Sequence, residues 1–220
     1  VTEQKRQLSW WQESILLIGS ALVLALIVKT FLFQAFYIPS GSMLPTMQLN
    51  DKILVQKVSY WFGGEPQRGD IIVFRDPGNW LGLSSEQDLN GVQRALEMVG
   101  LYPSGGHLIK RTIGVGGDNV RCCDAKGRTV VNGESIDEPY LNDKSVNAEQ
   151  TFDVTVPKGY LWVQGDNRGN SEDSRAHMGE PGGGFVPVKD VVGKSWLRVW
   201  PLDRFGFIEQ TDAFDDVPAP

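Results

Sequence analysis

The stretch Leu108-Ile109-Lys110-Arg111-Thr112-Ile113-Gly114-Val115-Gly116-Gly117-Asp118 decides the fold. It is an apolar, β-branched run that stops at a double glycine, which is the length and punctuation of a strand entering a turn. The same grammar recurs on both sides. Lys52–Lys57, Asp70–Arg75, Leu108–Val115, Asn119–Arg121, Arg128–Val131, Phe152–Val156, Tyr160–Val163 and Val191–Val199 all read as strands. Gly63-Gly64, Pro77-Gly78 and Pro157-Lys158-Gly159 mark turns between them. With 25 glycines and 12 prolines in 220 residues, and no alternation of strands with helices, the expected class is mostly β. The strands should form an antiparallel, barrel-like domain with a small β subdomain at about 118–157. Ser84 to Val99, with Leu89, Val92, Leu96 and Val99 at helical spacing, predicts a short helix inside an insertion at about 78–106. The acidic tail, 206–220, is expected to fray.

One segment is out of character. Ile15 to Val28 reads ILLIGSALVLALIV without a charge, preceded by Trp10 and Trp11 and followed by Lys29. Taken as residues 11–28, it makes a helix of roughly 27 Å, close to the hydrocarbon thickness of about 30 Å. Lys29 and the aromatics at Phe31 to Phe33 sit where an interface would be. No A-x-A-like cleavage site follows before Pro39, so the expectation is an uncleaved, single-pass transmembrane signal anchor. Lys5 and Arg6 favour residues 1–10 in the cytoplasm. Residues 29–205 would then form an extracytoplasmic domain, and the lipid bilayer is an expected partner.

Net charge is −6 with no block of Lys or Arg, so no nucleic-acid partner is expected. The two cysteines, Cys122 and Cys123, are adjacent, which suits neither a metal pair nor a disulfide framework. Two thiols is the favoured reading, with a disulfide between these neighbours as the alternative. Two isolated histidines make no zinc site. Neither a metal nor a cofactor is expected.

Three segments carry chemistry. Pro39-Ser40-Gly41-Ser42-Met43-Leu44-Pro45-Thr46 holds two serines in a non-helical backbone set by proline and glycine, as a nucleophile with free backbone N–H groups requires. Lys110 lies in an apolar strand. An ordinary lysine is neutral in only about one chain in 2,500 at pH 7, so a lysine base must be desolvated. Gly165 to Arg175 packs Asp166, Glu172 and Asp173 with Arg168 and Arg175 into one loop that can brace itself. Each segment has a plainer reading as a loop or a half-exposed strand.

Together they resemble the bacterial type I signal peptidase family. The serine box resembles Pro39 to Thr46, a second box Arg68 to Phe74, the lysine box Lys110 to Asp118, and a final box Gly165 to Arg175, in the family's order. The resemblance implies Ser42 as nucleophile and Lys110 as general base. It implies an oxyanion hole from the Ser42 N–H and the Ser40 hydroxyl. Ser171 would orient the Lys110 amine, and Asp173, Arg175 and Asp166 would form a salt-bridged brace. Phe36, Ile38, Met43, Met47, Ile53 and Ile109 would line shallow substrate pockets. Phe36–Ser40 and His107–Lys110 would offer strand edges to an extended peptide. The implied activity is removal of signal peptides from exported preproteins after a small-x-small motif, at the plasma membrane, with the secretion translocon a candidate partner. Competing readings are a self-cleaving Ser-Lys repressor, an anchored peptide-binding domain without activity, and a peptidase dedicated to one pilus-like substrate.

Overall fold

The computed structural model describes residues 9–61, 63–82, 90, 91, 106–141, 143 and 150–220. All eight expected strands form: β2 (Lys52–Gln56), β3 (Ile71–Arg75), β4 (His107–Gly114), β5 (Asn119–Cys122), β6 (Thr129–Val131), β8 (Phe152–Thr155), β9 (Tyr160–Gln164) and β11 (Val191–Trp200). Four more were not foreseen: β1 (Phe33–Tyr37), β7 (Glu134–Ser135), β10 (Val186–Pro187) and β12 (Gly206–Phe207). Three of these are two-residue pairings that leave no alternation to read. The fourth, β1, continues an apolar stretch with no turn signal before it. The helix expected at Ser84–Val99 falls almost wholly outside the described residues.

The larger sheet runs β1-β2-β11-β3-β4-β9-β10, with β12 added to β11. Its register sets the two faces. Ile72 stands opposite Lys110, and Val73 opposite Ile109. Alternation therefore sends Ile71, Val73 and Ile109 into one cluster with Ile38, Met43, Met47, Ile53 and Val55. Ile72, Phe74 and Leu108 join Trp80, Leu161, Val163 and Val186 in another. Both faces of β4 are covered, so a lysine on either one is buried.

The barrel expected from sequence is not closed. β1 and β10 are free edges of an open sheet. β9 pairs with β4 from Arg111 onward, whereas the pairing of β4 with β3 runs over His107–Arg111. The sheet curls until the Phe36 ring of β1 lies 5.4 Å from the His107 ring of β4, yet no backbone ladder joins them. The gap between the two strands is a cleft.

A second, four-stranded sheet runs β7-β6-β5-β8. It shares a core with the first: Ile113 and Trp162 pack with Val120, Val131, Ile136, Phe152 and Val156. Phe214 and Val217 of the tail complete that core. Arg68 binds Asp118 and donates to the carbonyls of Val217 and Pro218. The tail is thus seated rather than frayed: its acidic residues alternate with aromatic and aliphatic ones that the small sheet leaves room for. Cys122 and Cys123 are disulfide-bonded to each other, where the favoured reading was two thiols.

Helix α1 (Trp10–Ile27) exposes its apolar side chains all round, from Ile15 and Leu16 to Leu24 and Leu26. Its first turn carries Gln12, Glu13 and Ser14. Among the described residues no helix is long and apolar enough to cross a membrane. A π-helical turn (Val28–Leu32) leads from α1 into β1.

Candidate active site

The loop after β1 is pinned at its neck. Ile38 N–H donates to the Asp51 carbonyl, and Asn50 N–H to the Ile38 carbonyl, each at 2.9 Å. Met43 and Met47 anchor the loop in the core from within, both fully buried. Ser42 is thereby held at the cleft floor. Asn167 secures it from the other side: its side-chain amide donates to the Gly41 carbonyl and its backbone N–H to the Ser42 carbonyl, both at 3.0 Å.

Lys110 reaches Ser42 from β4. Its Nζ lies 3.1 Å from Ser42 Oγ, and the residue is 4% exposed. Burial above all, with Arg175 acting in the same direction, lowers the Lys110 pKa to about 8 against the opposing pull of Asp173, Glu172 and Asp166. At pH 7 about a tenth of such lysines are neutral, several hundred times more than in water. The Ser40 hydroxyl also addresses Ser42 Oγ, at 3.4 Å. A nucleophile, a base that is partly neutral near pH 7, and a second hydroxyl beside the reacting oxygen can perform acyl transfer.

The dyad opens into a cavity of about 840 Å³. Pro39 to Ser42 form one side, Leu108 to Lys110 another, and Asn170 to Glu172 with Trp80 the far wall. Of the six residues assigned to substrate pockets, Ile109 lines this cavity. Ile38, Met43, Met47 and Ile53 lie beneath it in the core, and Phe36 packs against their cluster.

The brace differs from the one expected. Asp173 pairs with Arg175 through bonds of 2.9 and 2.8 Å. Asp166 does not join them. It binds Arg111 through two bonds, 2.8 and 2.7 Å, and accepts from the Thr46 hydroxyl. Arg111 precedes Thr112 on the face of β4 opposite Lys110, so its guanidinium passes under the strand to Asp166 while Lys110 turns to the cleft. Burial alone would raise the Asp173 carboxyl, but the Arg175 guanidinium outweighs it and the net direction is down.

Ser171 does not bond Lys110. Its hydroxyl is buried, packs against Gly165 and helps hold the Asp173 carboxyl below its ordinary value. A Cβ at Gly165 would collide with Ser171 Oγ and with the Ser42 carbonyl oxygen. Gly165 is therefore a site residue that sequence reading passed over, although it sat in the quoted loop beside Asp166 and Asn167. Arg111 was likewise visible, next to Lys110. Glu138, which forms a buried ion pair with Arg168, had no signal in the sequence.

The chain matches the family described as "Signal peptidase, peptidase S26" over residues 11–200. It is 39% identical to the probable signal peptidase I of Mycobacterium leprae, covering 94% of this chain and 81% of that protein. It is 41% identical to signal peptidase I of Mycobacterium tuberculosis H37Rv, over 87% of this chain and 73% of the relative. With signal peptidase I of Leptolyngbya laminosa the identity is 38%, over 88% and 82%. A family match across most of the sequence, with a serine and a buried lysine in contact inside it, places the chain in the signal peptidase family, peptidase S26.

Proposed function

We propose that this chain is a signal peptidase I, a serine endopeptidase that cuts signal peptides from exported preproteins after a small-x-small motif. The observation that carries the mechanism is the Lys110 Nζ, 3.1 Å from Ser42 Oγ and withdrawn from water. The neutral amine takes the Ser42 proton as Oγ attacks the scissile carbonyl carbon. The oxyanion that forms is held by the Ser42 N–H and the Ser40 hydroxyl. Collapse of the tetrahedral species breaks the peptide bond, and protonated Lys110 gives its proton to the leaving amine. Water, deprotonated by the same lysine, then hydrolyses the ester on Ser42. The substrate enters as an added strand in the cleft between β1 and β4, bonded through its backbone and selected by the depth of the pockets beside Ile109.

The site works at a lipid surface. Helix α1 serves as a membrane anchor, and its 18 residues rise about 27 Å, short of the bilayer core by an amount that interfacial aromatics and local thinning can absorb. Residues 1–10 lie in the cytoplasm and 29–205 outside. Exposed aromatics support this placement. Phe33 and Trp196 stack at 5.5 Å, Trp196 meets Phe207 at 5.3 Å, and Trp200, Leu202 and Phe205 are exposed. This patch surrounds the strand that α1 enters, as an interfacial belt would.

The test is cleavage of a preprotein by wild type, Ser42→Ala and Lys110→Ala in detergent. Both variants should lose at least about 10³-fold in kcat. Full activity of Lys110→Ala at neutral pH would refute the dyad.

A further inference from the structure

The small sheet stands apart from the cleft in sequence, yet both charged braces of the site end on one tripeptide in the segment that follows its strand β7, Glu138-Pro139-Tyr140. The Glu138 carboxylate is 3% exposed. It accepts from the Arg168 guanidinium, from the Thr129 hydroxyl at 2.8 Å and from the Tyr140 hydroxyl at 2.7 Å. Arg168 passes this anchorage to the catalytic loop. Its Nε donates to the Gly165 carbonyl at 3.1 Å, and its own carbonyl accepts from Arg175 at 2.9 Å. Arg175 holds Asp173, whose carboxylate accepts from Gly165 N–H at 3.0 Å. Gly165 is the residue against which the Ser42 carbonyl and Ser171 lie.

The second route starts at the Tyr140 ring. The Arg111 guanidinium carbon lies 3.9 Å from its centroid. Arg111 fixes Asp166, and Asp166 accepts from Thr46 in the loop that carries Ser42. Arg111 is also the chain neighbour of Lys110. One route therefore bears on the loop behind both reacting groups, and the other on Lys110 from beneath β4 and on Ser42 through Thr46.

We propose that Glu138 and Tyr140 are positioning residues that set the Ser42–Lys110 geometry from the segment that follows β7. The proposal rests on the peptidase reading above. These residues do not touch the reacting atoms. They hold two arginines whose side chains are nearly or fully buried, and a buried cation keeps one position only while its partners are in place. Loss of the anchor loosens the Ser42–Lys110 contact, and a displacement of about 1 Å at reacting atoms is enough to cost about a hundredfold in rate.

The experiment uses the full chain in detergent with one A-x-A peptide substrate, measuring kcat, KM and melting temperature. Wild type must cleave and Ser42→Ala must not; failure there sinks the peptidase reading, not this one. Glu138→Gln keeps the shape and removes the charge. Its kcat is expected to fall about 30-fold, about 2 kcal/mol, with KM within about threefold, because substrate contacts are untouched. Glu138→Gln/Arg168→Gln removes both charges and should recover the melting temperature without recovering kcat. Tyr140→Leu involves no charge and should lower kcat about tenfold at unchanged KM. Recovery of kcat along with melting temperature in the double variant would reduce Glu138 to neutralising a buried cation and overturn the proposal. So would wild-type kcat in either folded single variant. If Glu138→Gln does not fold, the double variant and Tyr140→Leu decide by the same criteria.

Discussion

Moving the Lys110 amine out of water has two measurable consequences. First, catalysis needs the neutral form, whose fraction falls tenfold per pH unit below a pKa of about 8. The single-turnover rate should rise with slope one up to about pH 8 and then level; a rate flat down to pH 5 would exclude a lysine base. Second, the same burial destabilises the fold. Below about pH 8 the amine is protonated in both folded and unfolded chains, and the folded state bears the full desolvation cost. Stability rises as pH climbs from about 8 towards the unfolded value of 10.5, because there only the unfolded chain still holds the proton. Lys110→Met should therefore stabilise the protein at pH 7 by about 3 kcal/mol while abolishing activity, and the gain should vanish above about pH 10.5. Equal melting temperatures for the two proteins at pH 7 would contradict the burial argument. Ser42, Lys110, Ser40, Asp173 and Arg175 were all nameable from their motifs. That Asp166 belongs to Arg111 was not, because which face of β4 each neighbour takes depends on the register with β3.

At the scale of elements, the eight expected strands were legible because most are apolar runs closed by glycine, proline or asparagine. β1 was not, since Phe33-Gln34-Ala35-Phe36-Tyr37 reads equally as the end of an interfacial helix; pairing with β2 alone makes it a strand. The tail was misjudged for a related reason. Phe214 and Val217 sit among Asp212, Asp215 and Asp216, so local composition suggests solvent, and only the cavity at the edge of the small sheet draws them in. Phe214→Ala should cost about 3 kcal/mol in chemical denaturation, as a large buried side chain is replaced by a void. A change below about 0.5 kcal/mol would return the tail to the frayed class.

Across the whole molecule, the exposed aromatic patch and α1 should face the same lipid surface. In anionic vesicles, brominated lipid should quench tryptophan fluorescence in wild type, and Trp196→Phe/Trp200→Phe should lose a substantial part of that quenching. Equal quenching in both would place the patch in water. What the sequence by itself determined is the class of fold, the family and the pair of side chains proposed to react, because strand periodicity, turn residues and short motifs are local properties of the chain. What only the tertiary structure decided is which charges are partners, where the sheet stays open and how the segment after β7 reaches the site. Those follow from strand register and from the packing of residues as far apart as Glu138 and Arg168, or Arg68 and Val217, whose meeting no local pattern encodes.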